Sequence, residues 1–333
     1  MEAGKMSDKA GLSDTASSYL DITVSVVLVT YNTGPILFRS IESVLSQDAL
    51  ADLIIVNNGN PVEDLERLET IESKDERVKV LSGHGNIGFS AGCNLGAKSA
   101  RGSCLMLFNP DCIMASETLV KLINIGRKKI RPWMLGCRLV GSDGKEQSGS
   151  RRRALTPLTA FITVFSPDWV FRLLPKLNAL NFNSNPIAVD TEKVLTISGA
   201  CMILPTADYW SLNGMDEEFF IHEEFFIHVE DIDFCHRFRR NKGEIFYVPS
   251  VRVTHALSTS RASQIFIEWN KARGFMIYFN KNFSSLNSFI VMLIKLGILI
   301  RFLLKALKLV FFEYIANIFG RKRTSIWNFP MRK

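Results

Sequence analysis

The chain has 333 residues, 47% of them hydrophobic and 22% charged, a composition that suits a globular protein and excludes a disordered one. Its six cysteines form no CxxC pair, which argues against a zinc ribbon and against a secreted disulfide framework, so we expect reduced thiols and a cytoplasmic location. Residues 1–21 lack the apolar segment of a signal peptide and are expected to be a flexible leader.

The net charge of +7 is concentrated at one end of the chain. Residues 281–333 contain ten lysines and arginines against one acid, a net charge of +9, which leaves −2 for residues 1–280. The basic residues interrupt apolar runs too short to span a membrane, and at about 100° per residue Arg301, Lys305 and Lys308 share one sector of a helix. This pattern predicts an amphipathic helical tail on an anionic membrane surface and argues against nucleic acid as a partner.

Apolar runs alternate with helical patterns over the first 130 residues. Strands are predicted at 22–31, 53–58, 78–82 and 104–108, and a helix is predicted after Gly34 and Pro35. The spacing indicates a βαβ series and a mostly parallel sheet, which binds ligands at the carboxyl ends of its strands. Polar turns follow these runs at Thr30, Tyr31, Asn32, Asn57, Asn58, Asn86, Asn109 and Asp111.

Two of these turns suggest specific chemistry. The segment GNIGFSAGCNLGA (85–97) would let the backbone approach a phosphate closely, although small residues that pack a helix on a sheet explain it about as well. In LMLFNPDC (105–112), strand alternation would point Asn109 and Asp111 the same way. Two oxygen ligands suit Mg²⁺ or Mn²⁺ together with a diphosphate, and a simple turn is the alternative.

Acidic residues dominate one stretch of the second half. The hexapeptide EEFFIH occurs at 217–222 and again at 223–228, as an in-frame tandem duplication would produce. Glu230, Asp231 and Asp233 then open a helix expected to run to Gly243, where the helix dipole favours negative charge. Acids at a helix start are ordinary, so this pattern by itself does not assign a catalytic group.

The segment that joins the two halves of the chain, roughly residues 141–193, is first basic and then aromatic. The sequence GSDG (141–144) predicts a hairpin turn. Arg151 to Arg153 would face a diphosphate or an anionic acceptor, or lie in a solvated loop. The aromatic-rich residues that follow would form a flap over an acceptor site or a second membrane contact.

Eight motifs between residues 24 and 255 follow one another in the order found in a known protein family. They are VSVVLVTYN (24–32), VNNGN (56–60), NIGFSAGCN (86–94), FNPD (108–111), SGACMILP (198–205), NGMDEEFF (213–220), VEDIDFCHR (229–237) and VRVTH (251–255). The chain resembles the family 2 inverting glycosyltransferases of GT-A fold, especially the rhamnosyltransferase-like branch, over about 25–280. It departs from that pattern at Asn57, where the family has Asp, which weakens the expected nucleobase contact, and in the six extra residues of the repeat.

The resemblance implies an α/β, Rossmann-like, mostly parallel sheet flanked by helices over residues 22–280, with the amphipathic helical tail at 281–333. It makes Asp231 the general base, beside Glu230, because an inverting transfer needs a carboxylate to deprotonate the acceptor hydroxyl. It places Mg²⁺ or Mn²⁺ on Asn109, Asp111 and His255. It assigns donor contacts to Thr30, Tyr31, Asn32, Asn57, Asn58, Asn86, Gly88, Phe89, Gly92, Asn94, Asn109 and Arg237.

The implied function is metal-dependent inverting transfer of a sugar from a nucleotide-sugar to a lipid-linked or cell-surface polysaccharide acceptor. The branch suggests dTDP-rhamnose as the donor, and a UDP-sugar is the alternative. A membrane-bound nucleotide-sugar-binding scaffold with impaired catalysis is a further alternative, motivated by the repeat and by Asn57. The expected location is peripheral, on the inner face of the membrane.

Overall fold

The computed structural model describes residues 22–147, 149–159, 187–219, 229–256, 264–284 and 286–318. The predicted leader lies outside these residues, and so do most of the aromatic-rich segment (160–186) and residues 220–228 of the repeat. All six cysteines are free and buried.

The elements alternate along the first half of the chain, as the sequence predicts. The strands are β1 (Val24–Thr30), β2 (Leu50–Asn57), β3 (Val78–Leu81), β4 (Cys104–Phe108), β5 (Cys112–Met114), β6 (Trp133–Val140), β7 (Arg151–Arg152), β8 (Glu192–Val194), β9 (Thr196–Ile197), β10 (Cys201–Pro205) and β11 (Glu244–His255). The helices are α1 (Ile36–Leu45), α2 (Val62–Lys74), α3 (Gly88–Ala97), α4 (Thr118–Gly126), α5 (Thr206–Trp210), α6 (Glu230–Arg240), α7 (Gln264–Asn282) and α8 (Ser288–Ile318), with a 3₁₀ turn at Glu217–Phe219.

The main sheet within the described residues has the order β3-β2-β1-β4-β10-β6-β11-β5, and β8 pairs with β11. Strands β1 to β4 are parallel to one another, and β6 is parallel to β11. Strand β10 is antiparallel to both β4 and β6, so β6 and β11 run in the same direction as β1. The predicted mostly parallel α/β sheet flanked by helices is therefore confirmed.

Both faces of the sheet are covered, which explains why its strands are continuous apolar runs. Alternate residues of β1 enter opposite cores: Val26 and Leu28 pack with α1 and α4, whereas Val27 and Val29 pack with α3 and α6. Helix α3 lies so close to the sheet that a Cβ on Gly96 would stand 2.5 Å from a Val27 methyl. The small residues of α3 are thus required by helix-on-sheet packing.

The hairpin predicted at GSDG is present. Gly144 donates its N–H to Gly141 O (3.0 Å), and an antiparallel bridge joins Val140 to Glu146. The prediction that the acidic helix runs to Gly243 is wrong. Helix α6 ends at Arg240, and the chain turns because Lys242 adopts a φ of 62° and Gly243 donates to Phe238 O (3.0 Å).

A third core joins the tail to the rest of the protein. Ile294 and Ile298 of α8 are buried with Tyr278 and Phe279 of α7 and with Ile232 of α6. Helix α7 runs through residue 280, so the proposed boundary between a domain at 22–280 and a tail falls inside a helix. No helix among the described residues combines the length and apolarity that a membrane span requires.

Candidate functional site

The common direction of the strands brings the predicted site residues to one edge of the sheet. Because β1, β2, β4, β6 and β11 all point the same way, their carboxyl ends adjoin. Thr30 and Asn57 end the first two of these strands, Asn109 follows β4, and His255 ends β11. The structure therefore gathers residues that lie up to 225 positions apart in the sequence.

A hydrogen-bonded turn closes the ends of β1 and β2. Asn57 Oδ1 accepts bonds from the N–H groups of Gly59 (3.2 Å) and Asn60 (2.9 Å). The Asn60 amide also donates to Asn57 Oδ1 (2.8 Å) and to Thr30 Oγ1 (3.1 Å). Asn57 thus supplies the acceptor that an aspartate would supply here, so its departure from the family pattern leaves the turn intact. Its effect on a nucleobase stays a prediction.

The turn before α3 is held by two predicted asparagines. Asn58 Nδ2 donates to Gly88 O (3.1 Å), and Asn86 Oδ1 accepts from Gly88 N–H (3.0 Å). Gly88 has a φ of 82°, which favours glycine. Beside this turn, a Cβ on Gly59 would lie 3.3 Å from the Tyr31 ring, so the ring covers the backbone there.

Asn32 and Phe89 flank the same region. Asn32 adopts a left-handed φ of 47° at the end of β1, a conformation that asparagine tolerates better than most residues. The buried Phe89 ring lies 3.8 Å from the Cβ position of Gly199, the residue whose N–H binds Asp231. Phe89 therefore lies between the donor side of the sheet edge and the predicted base.

Three residues predicted to contact the donor have roles within the fold. A Cβ on Gly92 would stand 2.8 Å from Val29, so this glycine faces the sheet. Asn94 uses its amide fully, accepting from Tyr209 OH and Met215 N–H and donating to Met215 O and Glu217 Oε1. A direct bond from Asn94 to a nucleotide-sugar therefore requires one of these four bonds to break.

Arg237, the third of these residues, anchors a turn on the acceptor side. Its Nη1 donates to Leu212 O (2.9 Å) and Gly214 O (3.0 Å), and its Nε donates to Asp233 Oδ2 (2.7 Å). Arg237 and Asn94 line one pocket of about 330 Å³ with Asp216 and Glu217. Their contribution to donor binding stays a prediction.

Asp111 and His255 form the candidate metal centre. Strand β5 pairs antiparallel with β11 so that Cys112 lies opposite His255, and Ala256 N–H donates to Asp111 O (3.0 Å). This register places His255 Nε2 3.3 Å from Asp111 Oδ1. Ligand atoms of Asp111, Cys112 and His255 all lie within 4.8 Å of one another, a spacing that fits a single ion.

Gln147 fixes the orientation of the His255 ring. Its Nε2 donates to the backbone carbonyl of His255, so its Oε1 faces His255 Nδ1 at 2.8 Å. An amide oxygen only accepts hydrogen bonds, so Nδ1 carries a proton and Nε2 is the ring nitrogen that faces Asp111. Imidazole nitrogens and carboxylate oxygens are both common ligands of divalent metals in proteins. The donor set therefore fits a divalent metal ion.

Asn109, the third predicted ligand, is tied to the sheet through its backbone. Its N–H donates to Ala200 O (3.0 Å), and its carbonyl accepts from Cys112 N–H (3.1 Å). These two bonds shape the turn that places the buried Asp111 just beyond the end of β4. The position of Asn109 next to the acid is established, and its ligation of a metal stays a prediction.

Asp231 lies on the first turn of α6 and is buried. Its Oδ2 accepts from Gly199 N–H (3.0 Å) and from the guanidinium of Arg152. Its Oδ1 is buried with no hydrogen-bond partner among the described residues. A buried carboxylate oxygen without a donor is unfavourable unless a ligand supplies one, which makes Oδ1 the atom available to a substrate hydroxyl.

Glu230 is buried beside Asp231, and its pKa is raised. Burial, and then the negative charge of Asp231, raise the pKa of Glu230 to about 8. Its Oε2 accepts from Val229 N–H at 3.0 Å. At neutral pH Glu230 therefore favours its protonated form, which is a poor proton acceptor.

The arginine run does not lie in a solvated loop. Arg151 is buried in ion pairs with Glu146 (3.1 Å) and Glu192 (2.7 Å), and Arg152 binds Asp231. Sequence reasoning missed the roles of Arg152 and Gln147, because their partners are 79 and 108 residues away. The hairpin signal that precedes both residues was the available indication that this segment turns back toward the site.

The first three residues of the repeat are integrated into the wall of the site. Glu217 Oε1 accepts from Asn94, Phe219 is buried, and Lys281 pairs with Asp216 and with Glu218 (2.9 Å). Only residues 217–219 of the doubled hexapeptides are described.

Residues 25–130 match the model of glycosyl transferase family 2. This match supports a family 2 glycosyltransferase, and it includes Asp111 but ends before Asp231 and His255. An uncharacterised glycosyltransferase, EpsJ, of Bacillus subtilis is 29% identical over 136 residues, which cover 40% of this chain and 37% of EpsJ. The chain thus spans about two fifths of the length of the first curated relatives it matches.

Two solved structures share the fold. GalNAc-T7 with UDP, GalNAc and Mn²⁺ gives a TM-score of 0.56 at 17% identity, over 78% of this chain and 48% of that one. The mannosyltransferase PcManGT of Pyrobaculum calidifontis, in complex with GDP-Man and Mn²⁺, gives a TM-score of 0.52 at 11% identity, over 82% of this chain and 68% of that one. These similarities confirm the GT-A fold expected from the sequence.

The raised pKa of Glu230 predicts a pH-dependent stability. The folded state holds this proton more tightly than the unfolded chain, so its stabilising effect is complete below pH 4.5 and is lost as pH rises to about 8. We expect Glu230→Gln, which cannot ionise, to flatten this decline and to raise the melting temperature at pH 8 relative to wild type. Thermal denaturation from pH 5 to 9 measures this, with Glu63→Gln on α2 as the control. Parallel curves for wild type and Glu230→Gln would contradict it.

Deletion of Glu217 to His222 tests the repeat. Removal of either copy gives the same sequence, in which one hexapeptide follows Asp216 directly. The second copy supplies the same Glu, Glu and Phe, so we expect a folded protein that keeps the contacts to Asn94 and Lys281. Circular dichroism and thermal denaturation measure this outcome. A deletion variant that does not fold would show that both copies are needed.

Proposed function

We propose that this protein is a metal-dependent inverting glycosyltransferase that uses a nucleotide-sugar donor. The observation that supports this most directly is the position of two groups around Gly199 and Ala200. Asp231 binds Gly199 N–H, and Asn109, two residues before Asp111, donates to Ala200 O. A carboxylate whose Oδ1 has no partner among the described residues and a candidate cation site are therefore both anchored to one short segment, and displacement at a sugar carbon uses a carboxylate together with charge stabilisation of the leaving group.

Asp111 and His255 would hold the divalent ion, with Gln147 orienting the imidazole. When bound, such an ion supplies positive charge to the departing diphosphate. Among the described residues this cluster offers one carboxylate, which suits an ion held jointly by the protein and by diphosphate oxygens. Manganese in the two structural neighbours supports a divalent metal, and the choice between Mg²⁺ and Mn²⁺ is part of the proposal.

Asp231 would act as the general base. Its Oδ1 accepts the proton of the acceptor hydroxyl as the hydroxyl oxygen bonds to the anomeric carbon and the bond to the diphosphate breaks. Arg152 holds Oδ2, so one oxygen is fixed while the other stays available to the acceptor. Glu230, protonated beside it, does not compete as a second base.

The nucleotide would lie along the ends of β1 and β2, beside Tyr31 and the turns built on Asn57 and Asn58. The donor we propose is a dTDP- or UDP-linked sugar, with rhamnose suggested by the resemblance of the motifs and UDP by a structural neighbour solved with UDP. The acceptor we propose is a lipid-linked or surface polysaccharide.

Metal and nucleotide should bind together. We expect calorimetry to show tight binding of UDP or dTDP with Mn²⁺ and binding at least tenfold weaker in EDTA, because diphosphate oxygens complete the metal's coordination. Asp111→Asn and His255→Ala should reduce the effect of Mn²⁺. Arg240→Gln, on the far end of α6, is a matched surface control. Equal nucleotide affinity with Mn²⁺ and with EDTA would contradict a metal-dependent site.

Asp231→Asn should retain donor binding and lose most turnover. The substitution keeps the size of the side chain but removes the proton acceptor, and loss of a general base typically slows a reaction by about 10²–10⁴-fold. Release of nucleoside diphosphate from a panel of dTDP- and UDP-sugars measures this, and calorimetry checks donor binding. Glu230→Gln is the control and should lose far less. Full turnover in Asp231→Asn, with loss in Glu230→Gln, would reverse the assignment.

A further inference from the structure

The outward face of α8 is apolar over its whole described length. Large apolar side chains on this face are strongly exposed, for example Leu296, Leu303, Leu304, Leu307 and Phe311, at 49% or more each. At about 100° per residue these five positions fall within an arc of about 100°, and no charged residue of α8 enters that arc. An exposed apolar surface of this extent on a folded protein marks an interaction site.

Packing fixes which face of the helix is outward. Ile294 and Ile298 are buried, the rings of Trp269 and Phe302 lie 5.1 Å apart, and Lys305 pairs with Glu268 (2.8 Å). Phe302 therefore contacts α7. Lys305, which the sequence places in the same sector as Arg301 and Lys308, pairs with a glutamate of α7. The orientation of α8 therefore depends on its contacts to α7, and these contacts leave the leucine-rich face uncovered among the described residues.

Basic residues lie at the margins of the apolar face. On the helical projection Lys308 and Arg301 stand on one margin, and Lys295 and the single acid Glu313 share one angular position on the other, between the exposed apolar arc and the packed face. Lysine side chains at such positions extend their charged ends toward a headgroup layer while their methylenes stay on apolar surface. A second copy of the chain would bring the same positive charges together, whereas an anionic lipid surface would neutralise them.

We propose that the exposed face of α8 docks on an anionic lipid bilayer as an interfacial helix. Its leucines and phenylalanines enter the boundary between headgroups and acyl chains, and its marginal lysines contact acidic headgroups. The attachment is peripheral, since the opposite face of α8 is occupied by α7.

The hydrophobic core that holds α8 extends to the candidate active site. Ile294 and Ile298 share their core with Phe219, Val229 and Ile232, which flank Asp231 on the acceptor side. Asn282, at the end of α7, donates to Asp233 Oδ1 (2.8 Å). Docking through α8 would hold the acceptor side of α6 near the lipid surface, which suits a lipid-linked acceptor. This last point depends on the proposed function, whereas the docking surface does not.

The test is co-sedimentation of the full-length protein with vesicles, without donor or acceptor. We expect binding to vesicles of phosphatidylcholine and phosphatidylglycerol, weaker binding to phosphatidylcholine alone, and weakening by high salt. The double variant Leu303→Asp, Leu307→Asp should reduce binding at least tenfold, since both side chains are exposed, at 49% and 65%. Lys308→Glu should reduce binding to anionic vesicles only.

Val62→Asp is the matched control, because Val62 is 67% exposed on α2 and lies on a different surface. It should bind vesicles like wild type, and thermal denaturation should show that all variants fold. The proposal is overturned if wild type does not sediment with anionic vesicles, or if the double variant sediments equally. It is also overturned if analytical ultracentrifugation shows a lipid-independent dimer that the double variant dissociates while vesicle binding is absent. Each of these results leaves the transferase reaction to be judged separately.

Discussion

The common direction of five strands is the constraint on which the candidate site depends. Strands β1, β2, β4, β6 and β11 end at one edge of the sheet, so short turns after each strand meet there although their sequences are far apart. The pairing register between β5 and β11 positions the candidate metal ligands. It sets Cys112 opposite His255 and thereby places Asp111 beside the imidazole. A shift of one residue in this pairing would turn the His255 side chain to the opposite face of the sheet.

Three acids open α6, and the structure gives each of them a different electrostatic environment. Asp233 is bound by Arg237 and Asn282 and holds helices together, Glu230 is buried with a raised pKa, and Asp231 keeps one oxygen without a donor among the described residues. Arg152 contributes to this difference, because its guanidinium hydrogen-bonds directly to Asp231. The same helix start that looked ordinary in the sequence thus contains one carboxylate suited to catalysis.

The sequence predicted the parts of the fold that depend on local pattern. Strands β1 to β4 and helix α1 follow from continuous apolar runs and helical spacing, and their bounds agree with the structure to within a few residues. The hairpin at GSDG follows from turn chemistry. The end of α6 was misplaced because the helix stops at Arg240 and Lys242 adopts the left-handed conformation that turns the chain before Gly243.

Long-range partners could not be predicted in the same way. Gln147 and His255 meet only because the hairpin after β6 runs back along β11, and Arg152 reaches Asp231 only because β7 pairs with β9 next to Gly199. Similarly, the angular positions on α8 predicted an amphipathic helix, but only its contacts to α7 show that Phe302 and Lys305 belong to the packed side. Pairings of this kind depend on sheet order and helix docking, which a single sequence does not specify.

The central claim is that Asp111 and His255 bind a metal ion that completes its coordination with a nucleoside diphosphate beside Asp231. The most direct measurement is a crystal structure of the protein with Mn²⁺ and UDP, with diffraction data collected at the manganese absorption edge. The account predicts an anomalous peak between Asp111 Oδ1 and His255 Nε2, with diphosphate oxygens on the same ion and the nucleotide along the ends of β1 and β2. An anomalous peak elsewhere, or UDP bound at this edge with no metal, would contradict it.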